Sequence, residues 1–304
     1  MRIEWDPLDV AVATLVSGVV RIHEGPSVIE HSRDVLDMRW LADGPILTID
    51  TTNHLRSTRD GKLTSEYVRE WNYDRSELVA VTIAAGGDRF VAQEYRRDMD
   101  LSNLTVETIP PRRLFVPRLD GVSSRGRSSV AISGDGRRLA LGYITDATRG
   151  RGFAVFDIES ERIIDRSWSA HAVDLEARLA LELDYTGARL AQALPDPSPA
   201  LGVIRVNTGE IYPRQLTGGA TAVAIDRSGE LVAYAYREVP AGARGRLRFD
   251  YLDPKARGGV LVDILDTQTL ESELPDLVAL AFSHDRRRLA CLSSTGAIEI
   301  VPVP

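Results

Sequence analysis

The stretch VAISGDGRRLALG, Val130 to Gly142, holds three glycines, one acid and two adjacent arginines. It reads either as a glycine-rich loop that cradles a ligand or as a turn between two strands. Recurrence decides between them, because a segment that repeats along a chain belongs to the scaffold. Related segments are LALELDYTGARLAQA (179–193), AVAIDRSGELVAYA (222–235) and VALAFSHDRRRLACLS (278–293). More divergent copies are RIEWDPLDVAVATLV (2–16), LDMRWLADGPILTID (36–50) and LVAVTIAAGGDRFVAQE (78–94). Each alternates apolar and polar residues, crosses a Gly or Asp turn, and alternates again, the pattern of a β-hairpin.

The turns centre on Asp9, Gly44, Gly87, Gly136, Gly187, Gly229 and Arg286, with successive spacings of 35, 43, 49, 51, 42 and 57. The shorter spacings suit a unit of four strands, roughly 40–45 residues long, with the excess in loops. A second strand pair follows in several units, as in GVVRIHEGPSVIEH (18–31), FAVFDIESERII (153–164), VIRVNTGEIY (203–212) and VLVDILDTQTLE (260–271). No long segment keeps a 3.6-residue period. The expected fold is all-β throughout.

These units resemble blades of the WD-repeat and TolB-type β-propellers, whose second turn commonly reads Ser-x-Asp-Gly-x-x-Leu-Ala. Ser133-Gly134-Asp135-Gly136-Arg137-Arg138-Leu139-Ala140 follows that pattern, Val155-Phe156-Asp157 stands where the family has Val-Trp-Asp, and Ser169-Ala170-His171 is loosely similar to its Gly-His. No Trp-Asp dipeptide closes a unit, so the family's buried Asp-His-Ser-Trp network is not expected in most of them. The resemblance implies one β-propeller domain over 1–304, with seven blades of mostly four antiparallel strands (six or eight being the alternatives). Their approximate limits are 1–33, 34–76, 77–112, 126–167, 175–216, 219–274 and 277–304. It implies an interaction platform and no particular reaction. The last unit has residues for three strands only; either Met1–Trp5 completes it, or the ring closes by side-chain packing.

Composition sets bounds. Hydrophobic residues make up 43% and charged residues 27%, the balance of a globular chain. A net charge of −7 argues against bulk nucleic-acid binding, which needs a basic face. The absence of an apolar run of ~18 residues argues against a membrane span. The single cysteine, Cys291, and a start without a secretory pattern point to the cytoplasm. Cys291 lies within a strand and is expected to be a buried, inert thiol.

In a meandering blade the A–B and C–D turns share one rim and the B–C and D–A loops the other. Long insertions are expected to gather on the second: 96–103, 145–152, 194–202 and, longest, 237–259 as B–C loops, with 69–77, 110–128 and 165–176 as D–A loops. They carry Trp71, Tyr73, Arg112, Arg113, Phe115, Trp168, His171, Arg244, Arg246, Arg248, Phe249 and Tyr251. Arginine and aromatic residues often anchor interfaces, so this rim is the expected binding face for a protein or peptide partner. The same aromatics equally suit a packed loop core.

The expected function is a non-catalytic scaffold, an accessory subunit of a bacterial assembly. The alternative is an enzyme or small-molecule binder with a polar funnel at the central channel mouth. No catalytic residue, metal or cofactor is implied. Gly134-Asp135-Gly136 lacks a phosphate-loop sequence and leads into a strand; Asp98–Asn103 lacks the glycine and bidentate Glu of a calcium loop. His23, His31, His54, His171 and His284 show no metal-ligand spacing, there is no GxSxG elbow, and Ser167, Ser169, His171 and Asp174 read as a polar loop.

Overall fold

A computed structural model describes residues 1–69, 76–96, 101–115, 117, 129–144, 150–172, 180–193, 201–206, 210–214, 220–237, 245–252 and 264–304. The described elements are all β, arranged as a β-propeller with six four-stranded blades and a seventh sheet of three strands.

Each blade is a meander of consecutive strands. Blade 1 holds β1 (Arg2–Trp5), β2 (Val12–Val16), β3 (Val19–Glu24) and β4 (Ser27–Ser32); blade 2 holds β5 (Val35–Trp40), β6 (Ile46–Asp50), β7 (His54–Arg59) and β8 (Lys62–Val68). Blade 3 holds β9 (Ser76–Ile83), β10 (Arg89–Arg96), β11 (Leu101–Thr108) and β12 (Arg113–Phe115). Blade 4 holds β13 (Ser129–Ile132), β14 (Arg138–Ile144), β15 (Gly150–Asp157) and β16 (Arg162–Ala172). Blade 5 holds β17 (Ala180–Leu183), β18 (Arg189–Ala193), β19 (Leu201–Arg205) and β20 (Glu210–Arg214). Blade 6 holds β21 (Ala220–Ile225), β22 (Leu231–Arg237), β23 (Gly245–Leu252) and β24 (Ile264–Glu271); sheet 7 holds β25 (Leu277–Phe282), β26 (Arg288–Ser293) and β27 (Ile298–Pro302).

The repeated turn behaves as its residue types require. All seven turn centres adopt positive φ, from 57° at Asp9 and 61° at Arg286 to 105° at Gly44. That region is easiest for glycine and next for Asp or Asn. The flanking apolar residues pack between blades rather than within them. Ile132, Leu139 and Leu141 of blade 4 meet Val91 and Val106 of blade 3, with Val130 at the margin. Cys291 lies fully buried between sheet 7 and blade 6, and burial pushes its thiol far up.

The stretch 237–259 is not one loop: Gly245–Leu252 is the third strand of blade 6, in register with β22 and β24. Residues 260–271 supply a single described strand, the fourth, rather than two. The long connection 253–263 therefore joins the third and fourth strands and leaves blade 6 on the A–B rim, opposite to expectation. Blades 3 and 4 also run past their expected limits of 112 and 167, to Phe115 and Ala172.

Met1–Trp5 does not complete sheet 7. Residues Arg2–Trp5 pair with Val12–Leu15 as the inner strand of blade 1. Closure is by side chains: Ile3, Trp5 and Val12 pack on Ala290 and Leu292, and Trp5 Nε1 donates to Ala281 O at 3.0 Å.

Candidate functional site

The inner strands of the blades wall a central channel of about 1560 Å³. Charged residues at alternate positions of those strands line it, beside others from the A–B turns such as Asp43, Asp226 and Arg227. Arg2 and Glu4 are on β1, Asp37 and Arg39 on β5, and Glu182 on β17. The first four form a chain. Arg2 Nη1 contacts both Asp37 oxygens at 2.9 and 3.0 Å, and Arg2 Nε contacts Glu4 Oε1 at 2.7 Å. Arg39 Nη1 reaches the same Glu4 oxygen at 2.7 Å, and its Nε donates to Ile83 O at 3.2 Å. Asp37 Oδ2 accepts the Ile83 amide at 3.0 Å, which ties the chain to blade 3.

The two glutamates of this wall respond oppositely. Burial pushes the Glu4 carboxyl up, but Arg39 and Arg2 outweigh it and hold the group below the ordinary carboxylate range. Burial also pushes Glu182 up, and here it wins: its pKa rises to about 7, although Arg39 and Arg2 act against it and the Ile225 amide donates to it. Glu4 adds repulsion. A carboxyl titrating near neutrality beside two guanidiniums is the perturbed-group pattern of a binding or proton-handling site.

The A–B rim is stitched together by the repeat. Arg89 Nη1 donates to Gly136 O at 2.9 Å, Arg138 Nη1 to Gly187 O at 2.8 Å, and Arg189 Nη1 to Gly229 O. Each arginine stands two residues after its own turn centre and reaches the turn centre of the next blade. Backbone bonds run alongside, from Gly86 N to Gly134 O and from Asp135 N to Tyr185 O. Blade 6 has Leu231 at that position, and the junction is bridged in reverse: Arg286 Nη1 reaches Glu230 Oε2 at 2.8 Å and Asp226 Oδ2 at 3.4 Å. At closure, Arg288 Nη2 donates to Asp9 O at 2.6 Å, while the Asp9 carboxylate accepts His284 N, His284 Nδ1 and Asp285 N.

Nine of the sequence-derived rim residues fall on or beside β12, β16 and β23. Trp71, Tyr73 and Arg244 lie outside the described residues. Arg112 precedes β12 and Arg113 opens it, which puts both exposed arginines at the A–B/C–D rim rather than in a D–A loop. Phe115 ends that strand. Trp168 and His171 belong to β16, Trp168 opposite Gly152, rather than to a loop. Arg246, Arg248, Phe249 and Tyr251 belong to β23, opposite Tyr236, Tyr234, Ala233 and Leu231.

The remaining histidines are dispersed: His23 bonds Thr14, His31 bonds Thr58 and His54 meets Glu66. Among the described residues no group of three or more His, Cys, Asp or Glu is placed to hold a metal, and no helix is long and apolar enough to cross a membrane. Sequence reasoning missed the channel charges altogether. Arg2, Asp37 and Glu182 are far apart in the chain, and their only signal was a charged residue inside an otherwise apolar inner strand.

No protein-family model matches the chain, and no curated protein does. Solved structures do. The chain is similar to a chain of Kuenenia stuttgartiensis hydrazine synthase (TM-score 0.64, 13% identity, covering 99% of this chain and 95% of that one). It is similar to a chain of the mitotic checkpoint complex (TM-score 0.67, 12% identity, 99% and 88%). It is also similar to the Myceliophteria thermophila Cps50 (Swd1) β-propeller domain (TM-score 0.65, 17% identity, 100% and 97%). At these identities the likeness is one of fold.

Proposed function

We propose that this protein is a non-catalytic, WD-repeat-like propeller that holds a protein or peptide partner on its B–C/D–A rim, as an accessory subunit of a bacterial assembly. The observation that supports this reading is the inequality of the two rims, to which the 11-residue connection 253–263 on the A–B rim is the one large exception. Six of the A–B connections are five residues long, and at four junctions a turn carbonyl is taken up by an arginine of the neighbouring blade. The opposite rim carries the 13-residue connection 116–128 and seven-residue connections at 69–75, 173–179, 194–200 and 238–244. Loop length on a rigid scaffold is where binding residues gather, and a preformed ring lowers the ordering cost of association. Trp71, Tyr73, Phe115, Trp168, His171 and Arg244 lie in or beside those connections, as do Arg246 and Arg248 near the start of β23. Two of the neighbours bear on this reading, one solved as part of a checkpoint complex and one as a propeller domain. The test is co-purification from the native cell followed by replacement of 116–128 and 238–244 with short Gly-Ser linkers. Loss of the co-purifying partner, with unchanged thermal stability, supports the reading; retention after both replacements ends it.

A second reading is favoured by one observation, the Glu182 carboxyl beside Arg2 and Arg39 in the channel. It makes the channel a small-molecule site. Titration of Glu182 by NMR in the presence of small zwitterionic and cationic ligands tests it: a shifted midpoint supports it, and an unmoved one counts against it.

A further inference from the structure

Sheet 7 ends on β27, and hydrogen-bond alternation fixes which of that strand's groups face outward. Ser293 N donates to Ala297 O, and Val303 N donates to Arg287 O. Odd-numbered residues of β27 therefore turn their N–H and C=O toward β26. Ile298 and Ile300 turn theirs to the outer edge, and Pro302 offers a carbonyl only. No described strand pairs with that edge. The other six sheets each hold a fourth strand in this place.

The two sides of the edge differ. Toward blade 6, Val301 is buried, and the Glu299 carboxylate accepts Ser272 Oγ at 2.5 Å and Glu273 N at 3.1 Å. Toward blade 1 the packing includes the second strands, with Val16 and Ile298 at its margin. The registers carry that packing outward from Ala290 to Ile300, and from Val12 through His23 to Val28. Ile300 and Val28 thus line the facing walls of a wedge, and they are 48% and 56% exposed. Arg21 lies on the same face of blade 1, in register with Thr14 and Glu30, and Arg33 pairs with Glu30. Two guanidiniums for one carboxylate make this wall positive on a chain of net charge −7.

We propose that the open edge of β27 docks an extended segment of a partner protein as a fourth strand. The segment's side facing blade 1 carries β-branched apolar residues and an acid, for Ile300, Val28 and Arg21. Its side facing blade 6 is small and polar, because that face is already filled. Backbone bonds to Ile298 and Ile300 supply register and the wedge supplies selectivity, the division of labour in strand addition. A second copy of this chain suits the edge poorly. Antiparallel self-pairing with Ile298 opposite Ile300 sets Glu299 against Glu299, and like charges directly opposite destabilise a sheet. Sliding until Ile300 faces Ile300 sets Pro302, without an N–H, opposite Ile298. The proposal is independent of the B–C/D–A rim.

The test is amide hydrogen exchange on the full chain with two acetylated, amidated probes, Thr-Val-Thr-Glu-Thr-Val-Thr and the same peptide with Lys for Glu. The acidic peptide is expected to slow the Ile298 and Ile300 amides by about tenfold or more, and the lysine peptide to leave them unchanged. Ile300→Pro removes the central N–H and is expected to abolish the effect. Val28→Asp, which leaves β27 untouched, is expected to weaken it about tenfold. Absence of protection with both peptides, or equal protection by both, overturns the proposal. So does protection of these amides in the free protein, which light scattering would then trace to a dimer or to this chain's own residues.

Discussion

Arg288 donates from Nη2 to the carbonyl oxygen of Asp9 at 2.6 Å, with its guanidinium carbon 4.6 Å from the centre of the Trp5 ring. One side chain thus joins the two ends of the ring at a backbone group and at a core aromatic. Arg288→Ala removes a charge-assisted bond and a cation–π contact and is expected to cost about 2 kcal/mol in urea unfolding. Arg138→Ala, which breaks an interior stitch of the same kind, is expected to cost about half as much. Equal effects would show that closure is no weaker than any other junction.

The turn glycines divide by surroundings. A Cβ on Gly187 would stand 2.6 Å from Arg138 Cδ and 2.8 Å from its Cβ, at a φ of +70°. Gly61, at +72°, would meet nothing within 4 Å. Gly61→Ala is expected to cost about 1 kcal/mol, from the left-handed backbone alone. Gly187→Ala should cost about 3 kcal/mol, since it also displaces the arginine that binds this turn. Differential scanning calorimetry of the pair checks the difference.

Arg69 is 1% exposed, with Nη2 2.5 Å from Glu94 and 2.6 Å from Glu107. Its removal leaves two carboxylates facing each other in the blade 2–3 interface. Arg69→Met is expected to destabilise by about 3–5 kcal/mol, and adding Glu94→Gln and Glu107→Gln should recover at least half of that. Failure of the triple variant to recover would mean that the guanidinium acts by packing rather than by charge.

Glu182 has a folded-state pKa of about 7 against an ordinary value of 4.5. The folded protein therefore holds this proton more tightly than the unfolded chain does. Stability is highest below about pH 4.5 as far as this group is concerned, and its contribution falls as pH rises through 7. Glu182→Gln is expected to stabilise by about 2 kcal/mol at pH 8 and to change nothing near pH 4. Paired thermal melts at the two values decide it; a variant equally stabilised at both rules out titration as the cause.

The turns were the most legible part of the sequence because their constraint is local. Gly136 and Gly187 are needed where they stand by the backbone itself, so each copy shows the requirement. The stitches were half legible: an arginine two residues after the turn centre is visible at Arg89, Arg138, Arg189 and Arg288, but the carbonyl it serves lies a blade away. Residues 245–252 looked like a charged loop because Arg246, Arg248 and Asp250 mask the period. The alternation was there, and Leu247, fully buried, was its sign. The channel was illegible because its charges meet only when the ring closes, Glu182 standing some 140 residues from Arg39.

No strand is exchanged across the closure: every described sheet is built from one continuous run of chain. The seam between sheet 7 and blade 1 is thus the same kind of joint as those between blades 3 and 4, 4 and 5, and 5 and 6, topped by an arginine on a turn carbonyl. Gene order and architecture are consequently decoupled. A permuted chain, opened at another blade boundary and joined across this one, would contain every sheet intact and every stitch in place, so the molecule has a reading direction but no privileged first blade.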